Sequence, residues 1–165
     1  MNRVKNKVVV ITGAAKGIGN PSKRILVVDD EAYIRQLSTG VLHYSGYNVD
    51  AAEDGAAAWE ALLLNRYDLL ITDNNMCRST GIGLVKKLHA DHMALPVVMM
   101  TEAAPMEELT SHPWLQIDAT LLKPFTVAQL LETVRQVLRL TDSVPEQIEL
   151  QTNCRSQPSA DNLRL

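Results

Sequence analysis

What the chain lacks narrows its possibilities first. No run approaches the ~18 consecutive apolar residues of a membrane span, so none is expected. An excess of positive charge is missing too. Sixteen Lys and Arg stand against nineteen Asp and Glu, a net charge of −3, and no global basic footprint points to nucleic acid. Cysteine is scarce. Cys77 and Cys154 form no CxxC pair, so neither a disulfide framework nor a zinc site is implied, and the compartment reads as reducing and cytosolic. Arg3, Lys5 and Lys7 precede the apolar Val8–Ile11 as in a secretory signal, but that run is shorter than the ~7–15 residues such a signal needs. There is no internal repeat beyond an alternation of strand-like and helix-like segments.

What is present is a chain of 165 residues, 46% apolar, enough for one packed domain with extensions. It is organised around Tyr67-Asp68-Leu69-Leu70-Ile71-Thr72-Asp73-Asn74-Asn75-Met76. A short apolar run bounded by polar residues predicts a parallel strand buried on both faces. Asp73 then lies at its carboxyl end, the edge where open α/β sheets bind ligands. Three more runs end in the same way. Arg24–Val28 leads into Asp29-Asp30-Glu31, Pro96–Met100 into Thr101, and Ala119–Leu122 into Lys123-Pro124. If these strands are parallel, acids, a hydroxyl and a lysine meet at one sheet edge.

Between the strands lie helical patterns. Ile34, Leu37, Val41 and Leu42 predict a first helix ended by Gly46. Tyr47–Ala51 reads as a second strand. Asp54-Gly55 opens a helix over 56–64 with Trp59, Leu62 and Leu63 on its inner side. Further helices are expected at about 82–91, 106–111 and 126–140. Five such βα units predict an α/β fold with a doubly wound parallel sheet, because right-handed crossovers cover both faces.

Asp29-Asp30, Asp73, Gly81 eight residues later, Thr101 and Lys123-Pro124-Phe125, in this order, resemble the receiver domain of two-component response regulators over about residues 23–140. The resemblance implies a flavodoxin-like (βα)5 sheet of strand order 2-1-3-4-5. It implies Asp73 as phosphoacceptor, with Thr101 and Lys123 contacting the phosphoryl group and a cis peptide before Pro124. Three carboxylates in one cleft repel one another, and a hard divalent cation with oxygen ligands relieves this. Magnesium is therefore the expected cofactor, on Asp29, Asp30, Asp73 and the backbone carbonyl of Asn75. Singly, Asp29 and Asp30 read as helix caps, Asp73 as a turn residue and Lys123 as a surface lysine. Jointly, at strand ends, they read as a site.

The implied role is a signalling module rather than an enzyme. It takes a phosphoryl group from a sensor histidine kinase or phosphotransfer protein and signals by conformational change. No direct contact with nucleic acid or membrane is expected, and the chain is expected to be a monomer or weak dimer in the cytoplasm. Three residues depart from the family pattern. Cys77 replaces a proline, Glu102 a small residue after Thr101, and Thr120 an aromatic switch residue. Glu102 and Cys77 suggest an alternative, a pseudo-receiver that binds partners without phosphorylation.

His89 and His92 have metal-ligand spacing but read as solvated at a helix end, and Trp59 and Trp114 read as packing residues. Residues 7–19, Lys7-Val8-Val9-Val10-Ile11-Thr12-Gly13-Ala14-Ala15-Lys16-Gly17-Ile18-Gly19, resemble the opening of a short-chain dehydrogenase/reductase, whose TGxxxGxG turn cradles a dinucleotide. An NAD(P)-dependent fragment is the third reading. Pro21 and an immediate return to strand leave no room for the cofactor helix. Residues 1–22 are therefore expected to be a leader rather than a domain, with Val8–Ile11 pairing to a free sheet edge. Residues 141–165, polar and without sustained period, are expected to be a flexible tail.

Overall fold

The computed structural model describes residues 9–10, 22–77, 79–102 and 114–142. In chain order the elements are β1 (Val9–Val10), β2 (Arg24–Val28), α1 (Ala32–Tyr44), β3 (Asn48–Ala52), α2 (Gly55–Leu64), β4 (Leu69–Asp73), α3 (Gly81–Ala90), β5 (Val97–Thr101), β6 (Ala119–Leu122) and α4 (Val127–Asp142). One sheet runs β1-β3-β2-β4-β5-β6. The five strands from β2 onward are parallel, and counted by themselves they have the expected order 2-1-3-4-5. β1 is a sixth, antiparallel strand on the outer edge of β3, pairing Val9 with Ala51 and Val10 with Asp50. The edge pairing expected of Val8–Ile11 thus occurs at its middle two residues. An edge strand offers unpaired N–H and C=O groups, and a short apolar segment satisfies some of them.

Alternation sorts the apolar strands onto two faces. Leu26, Val28, Leu70, Val97 and Met99 pack with α2 and α3. Ile25, Val27, Leu69, Ile71, Val98 and Met100 pack with α1 and α4, through Leu42, Leu130, Val134 and Val137. All of β4 and β5 is buried, as their unbroken apolar runs require.

Two helices are capped by side chains that their sequences supply. Asp54 accepts the N–H of Ala57 at 2.8 Å, and Thr80 accepts that of Gly83 at 2.9 Å. Each such cap typically contributes about 1 kcal/mol. Gly46 turns the chain after α1 at φ 95°, a left-handed conformation that glycine adopts without strain.

Some expectations need correction. Leu63 is 61% exposed rather than facing inward, and Ala57, Ala58 and Ala61 are buried in its stead. On α1, Leu42 is fully buried, but Ser38 and Thr39 lie beneath the helix while Ile34, Leu37 and Val41 are half-buried. α4 runs to Asp142, two residues past the expected helix end at Leu140. The helix expected at 106–111 lies outside the described residues, as do 11–21 and 143–165. No described helix is long and apolar enough to cross a membrane.

Candidate functional site

The parallel register brings the carboxyl ends of β2, β4, β5 and β6 together, and backbone hydrogen bonds tie them. The N–H of Asn74 donates to the carbonyl of Met100 at 2.9 Å, and that of Lys123 to Thr101 at 2.8 Å. Asp29 and Asp30 follow β2 directly, Asp73 ends β4, Thr101 ends β5 and Lys123 follows β6. Every residue expected at the site through its side chain therefore lies on one edge.

Lys123 is the centre of the cluster. Its Nζ is 3.1 Å from Asp29 Oδ2, 3.2 Å from Asp73 Oδ2 and 3.5 Å from Glu31 Oε1. Asp29 is fully buried, and Asp73 and Thr101 nearly so. One carboxylate oxygen from each of Asp29, Asp30 and Asp73 lies within 4.8 Å of the other two. The Lys123–Pro124 peptide is cis.

The environments of these groups differ. Burial lifts the carboxyl of Asp29 above its ordinary range, against the pull of Lys123 and the N–H of Glu31. Asp30 is held below its ordinary range by hydrogen bonds from Cys77, whose N–H donates to Oδ2 at 2.9 Å. Burial works against the charge of Lys123, but the carboxylates of Asp29 and Asp73 outweigh it and hold the ammonium above its usual range. One cation thus faces three acids. The donor set is all oxygen, carries excess negative charge and opens to solvent at Asp30, which fits a hard divalent cation such as magnesium.

Neighbours shape the cleft in ways that composition did not indicate. The N–H of Glu31 donates to Asp29 Oδ1 at 2.8 Å, and Arg35 Nη1 donates to the Asp29 carbonyl at 2.5 Å. The acid run Asp29-Asp30-Glu31, with Arg35 one turn later, carried that signal locally. Asn74 accepts from both Gly81 and Ile82, through its carbonyl at 3.2 Å and its side chain at 3.4 Å. Gly81 has no alternative, since a Cβ there would overlap the Asp73 carbonyl oxygen. Asn75 lies in the same loop, bridged to Thr80. Of the departures, Cys77 is exposed and linked to Asp30, Glu102 is exposed at the rim, and Thr120 faces solvent on edge strand β6.

The remaining candidates lie elsewhere. His89 meets Trp114 edge-on at 5.8 Å and accepts the N–H of Gln116 at 3.4 Å, so it packs rather than waiting for a ligand. Trp59 lies under the ammonium of Lys87 at 4.1 Å. A cavity of about 890 Å³ opens at the opposite edge of the sheet, beside Lys23, Asp68, Pro96 and Asp118, remote from the acids.

Residues 25–135 match the family model for the response regulator receiver domain. The chain belongs to the response regulator receiver family. It is 33% identical over 125 residues to the chemotaxis protein CheY-3 of Vibrio cholerae, covering 74% of this chain and 96% of that one. It is 34% identical over 120 residues to the response regulator MprA of Mycobacterium ulcerans, covering 73% of this chain and 52% of the relative. The chain thus spans about half the length of the mycobacterial relatives it matches. Among solved structures, TrrA of Thermotoga maritima, in complex with Mg2+ and BeF, superposes with a TM-score of 0.62 at 31% identity, covering 70% of this chain and 98% of that one. Phosphorylation on aspartate in two-component systems is characteristic of the family, whose receiver domains are signalling modules.

Proposed function

We propose that this receiver takes a phosphoryl group onto Asp73 from the phosphohistidine of a sensor kinase or phosphotransfer protein. The observation that carries this is the position of Lys123 Nζ, 3.1 Å from Asp29 and 3.2 Å from Asp73, beside three carboxylates within 4.8 Å. An Asp73 carboxylate oxygen attacks phosphorus as the donor's P–N bond breaks. The imidazole leaves with the bonding electrons and regains its proton from solvent, and an acyl phosphate remains on Asp73.

Phosphoryl transfer depends mostly on positioning and charge. Lys123 supplies a compact cation already at the acceptor, and the buried Thr101 supplies a hydroxyl at the end of the neighbouring strand. Asp29, Asp30, Asp73 and the Asn75 carbonyl would hold magnesium, which supplies further positive charge against the phosphoryl oxygens. The strand-end hydrogen bonds keep Asp73, Thr101 and Lys123 in register. The signal then passes by conformational change to an output partner, and the site of action is the cytoplasm.

Incubation with magnesium and acetyl phosphate, followed by intact mass spectrometry, tests this. The parent should gain one phosphoryl group and Asp73→Asn none. A gain that survives Asp73→Asn overturns the assignment, and a parent that never gains mass favours a phosphorylation-independent binding module.

A further inference from the structure

The loop from Asn74 to Thr80 carries two groups that the proposed site depends on, Asn75 and the Cys77 N–H that donates to Asp30 at 2.9 Å. Its ends are fixed. Asn74 N–H bonds to Met100 on β5, and the N–H of Gly81 returns to the Asn74 carbonyl. Between these anchors, Ser79 bonds to a neighbouring helix. Its Oγ accepts the N–H of Gly55, the first residue of α2, at 3.1 Å.

The contact has a specific chemical logic. The first N–H groups of a helix have no partner within the helix. At α2 the cap Asp54 takes the N–H of Ala57, and Ser79 takes that of Gly55. Gly55 is buried, and a Cβ on it would overlap Ser79 Oγ and crowd its Cβ. The absence of a side chain at 55 therefore makes room for Ser79. The tether joins residues 24 apart in sequence and ties the loop to a separately anchored helix.

We propose that Ser79 is a positioning residue for the cation site. By holding the loop against the α2 N-terminus, it sets the distance at which the Cys77 N–H meets Asp30 and at which Asn75 faces the cleft. Ser79 touches neither the cation nor the phosphoryl group. The inference rests on the phosphoacceptor reading only for its consequence in magnesium affinity, while the geometry of Cys77 can be read without it.

The test uses the full chain with Ser79→Ala, Ser79→Thr and Gly55→Ala. Magnesium affinity is measured by calorimetric titration, exchange at the Cys77 amide by NMR, and the fold by thermal unfolding. Ser79→Ala should weaken magnesium about tenfold, the low end of what losing an outer-shell partner costs a metal site. It should speed Cys77 amide exchange about fivefold, as expected for one net hydrogen bond, with the fold retained and the melting temperature lowered by only a few degrees. Ser79→Thr keeps the hydroxyl and should restore both. Gly55→Ala displaces Ser79 from the helix side and should reproduce Ser79→Ala, and it decides the question on the same criteria if Ser79→Ala does not fold. Magnesium affinity within about twofold of the parent, or Ser79→Thr as impaired as Ser79→Ala, overturns the inference. A parent that binds no magnesium rejects the phosphoacceptor reading, and Cys77 exchange then decides the tether by itself.

Discussion

Asp29 and Asp50 are both buried aspartates beside neighbouring parallel strands, and their surroundings have opposite characters. Asp50, on β3, is 2% exposed. Its Oδ2 receives Arg24 Nη2 at 2.6 Å, Arg24 Nε at 2.9 Å and the hydroxyl of Tyr67 at 2.7 Å. Arg24 also donates to Asn65 at 3.0 Å and lies 5.0 Å from the centre of the Tyr67 ring. Charge and hydrogen bonds balance there, and the Tyr67 hydroxyl is driven to hold its proton by burial and by Asp50. Asp29 shares one lysine with Asp73 and Glu31. A buried charge is tolerated when it is paired and hydrogen-bonded. The Asp50 network meets that condition with a cation of its own, whereas the acid edge meets it with one lysine divided among several acids. One region holds its acid in a balanced pair, and the other crowds acids around a single lysine.

Substitution should break this contrast most visibly. Asp50→Asn leaves Arg24 without its counter-charge and should cost about 3 kcal/mol, the usual scale for breaking a buried pair from one side, in urea unfolding at neutral pH without metal. Asp29→Asn removes one of several clustered acids and should leave stability equal to the parent's or higher. The sign follows from the raised carboxyl of Asp29. The folded chain holds that proton more tightly than the unfolded chain, so ionised Asp29 penalises folding at neutral pH. The penalty is relieved as pH falls through the raised value toward the ordinary 3.8. Any advantage of Asp29→Asn should therefore be greatest at neutral pH and close on acidification. Equal losses from the two variants would erase the distinction between the regions.

Magnesium should sharpen it. A ligand that binds only the folded chain stabilises it by about 2.7 kcal/mol at a hundred times its dissociation constant. The parent and Asp50→Asn should both gain in thermal unfolding with magnesium, whereas Asp30→Asn should lose most of the gain. A gain that persists in Asp30→Asn would place the cation away from the three acids.

How much of this was legible in sequence depends on whether the cause was local. Apolar runs that stop at Asp29, Asp73, Thr101 and Lys123 encode strand and site together, because burial and chemistry alternate along the chain. The Asp50 network was not legible. Arg24, Asp50 and Tyr67 meet only through the register that sets Leu26 beside Asp50, and nothing near any of them announces the others. The inner face of α2 was misread at Leu63 for a different reason. From Ala56 to Leu64 only Glu60 is charged, so the helix is apolar nearly all round and its buried face is set by packing on the sheet. On α1 the apolar spacing of Ile34, Leu37, Val41 and Leu42 located the helix, and packing buries Ser38 and Thr39 beside Leu42.

Ser38 is the third kind of buried polar group and gives the smallest effect. Unlike Asp50 it has no partner, and unlike Asp29 it carries no charge for a cation to satisfy. Its hydroxyl is fully buried without a hydrogen bond. Thr39, the next residue, shows the ordinary solution by donating to the carbonyl of Arg35, one turn back, at 2.9 Å. Burying a hydroxyl unpaired costs about 1–3 kcal/mol, and alanine is the better helix former by a few tenths. Removing one oxygen opens little space, so the cavity term is small. Ser38→Ala should therefore raise unfolding free energy by about 1 kcal/mol without altering magnesium affinity or phosphoryl uptake, read in urea unfolding with and without the metal. A loss of stability would mean that the hydroxyl is satisfied after all.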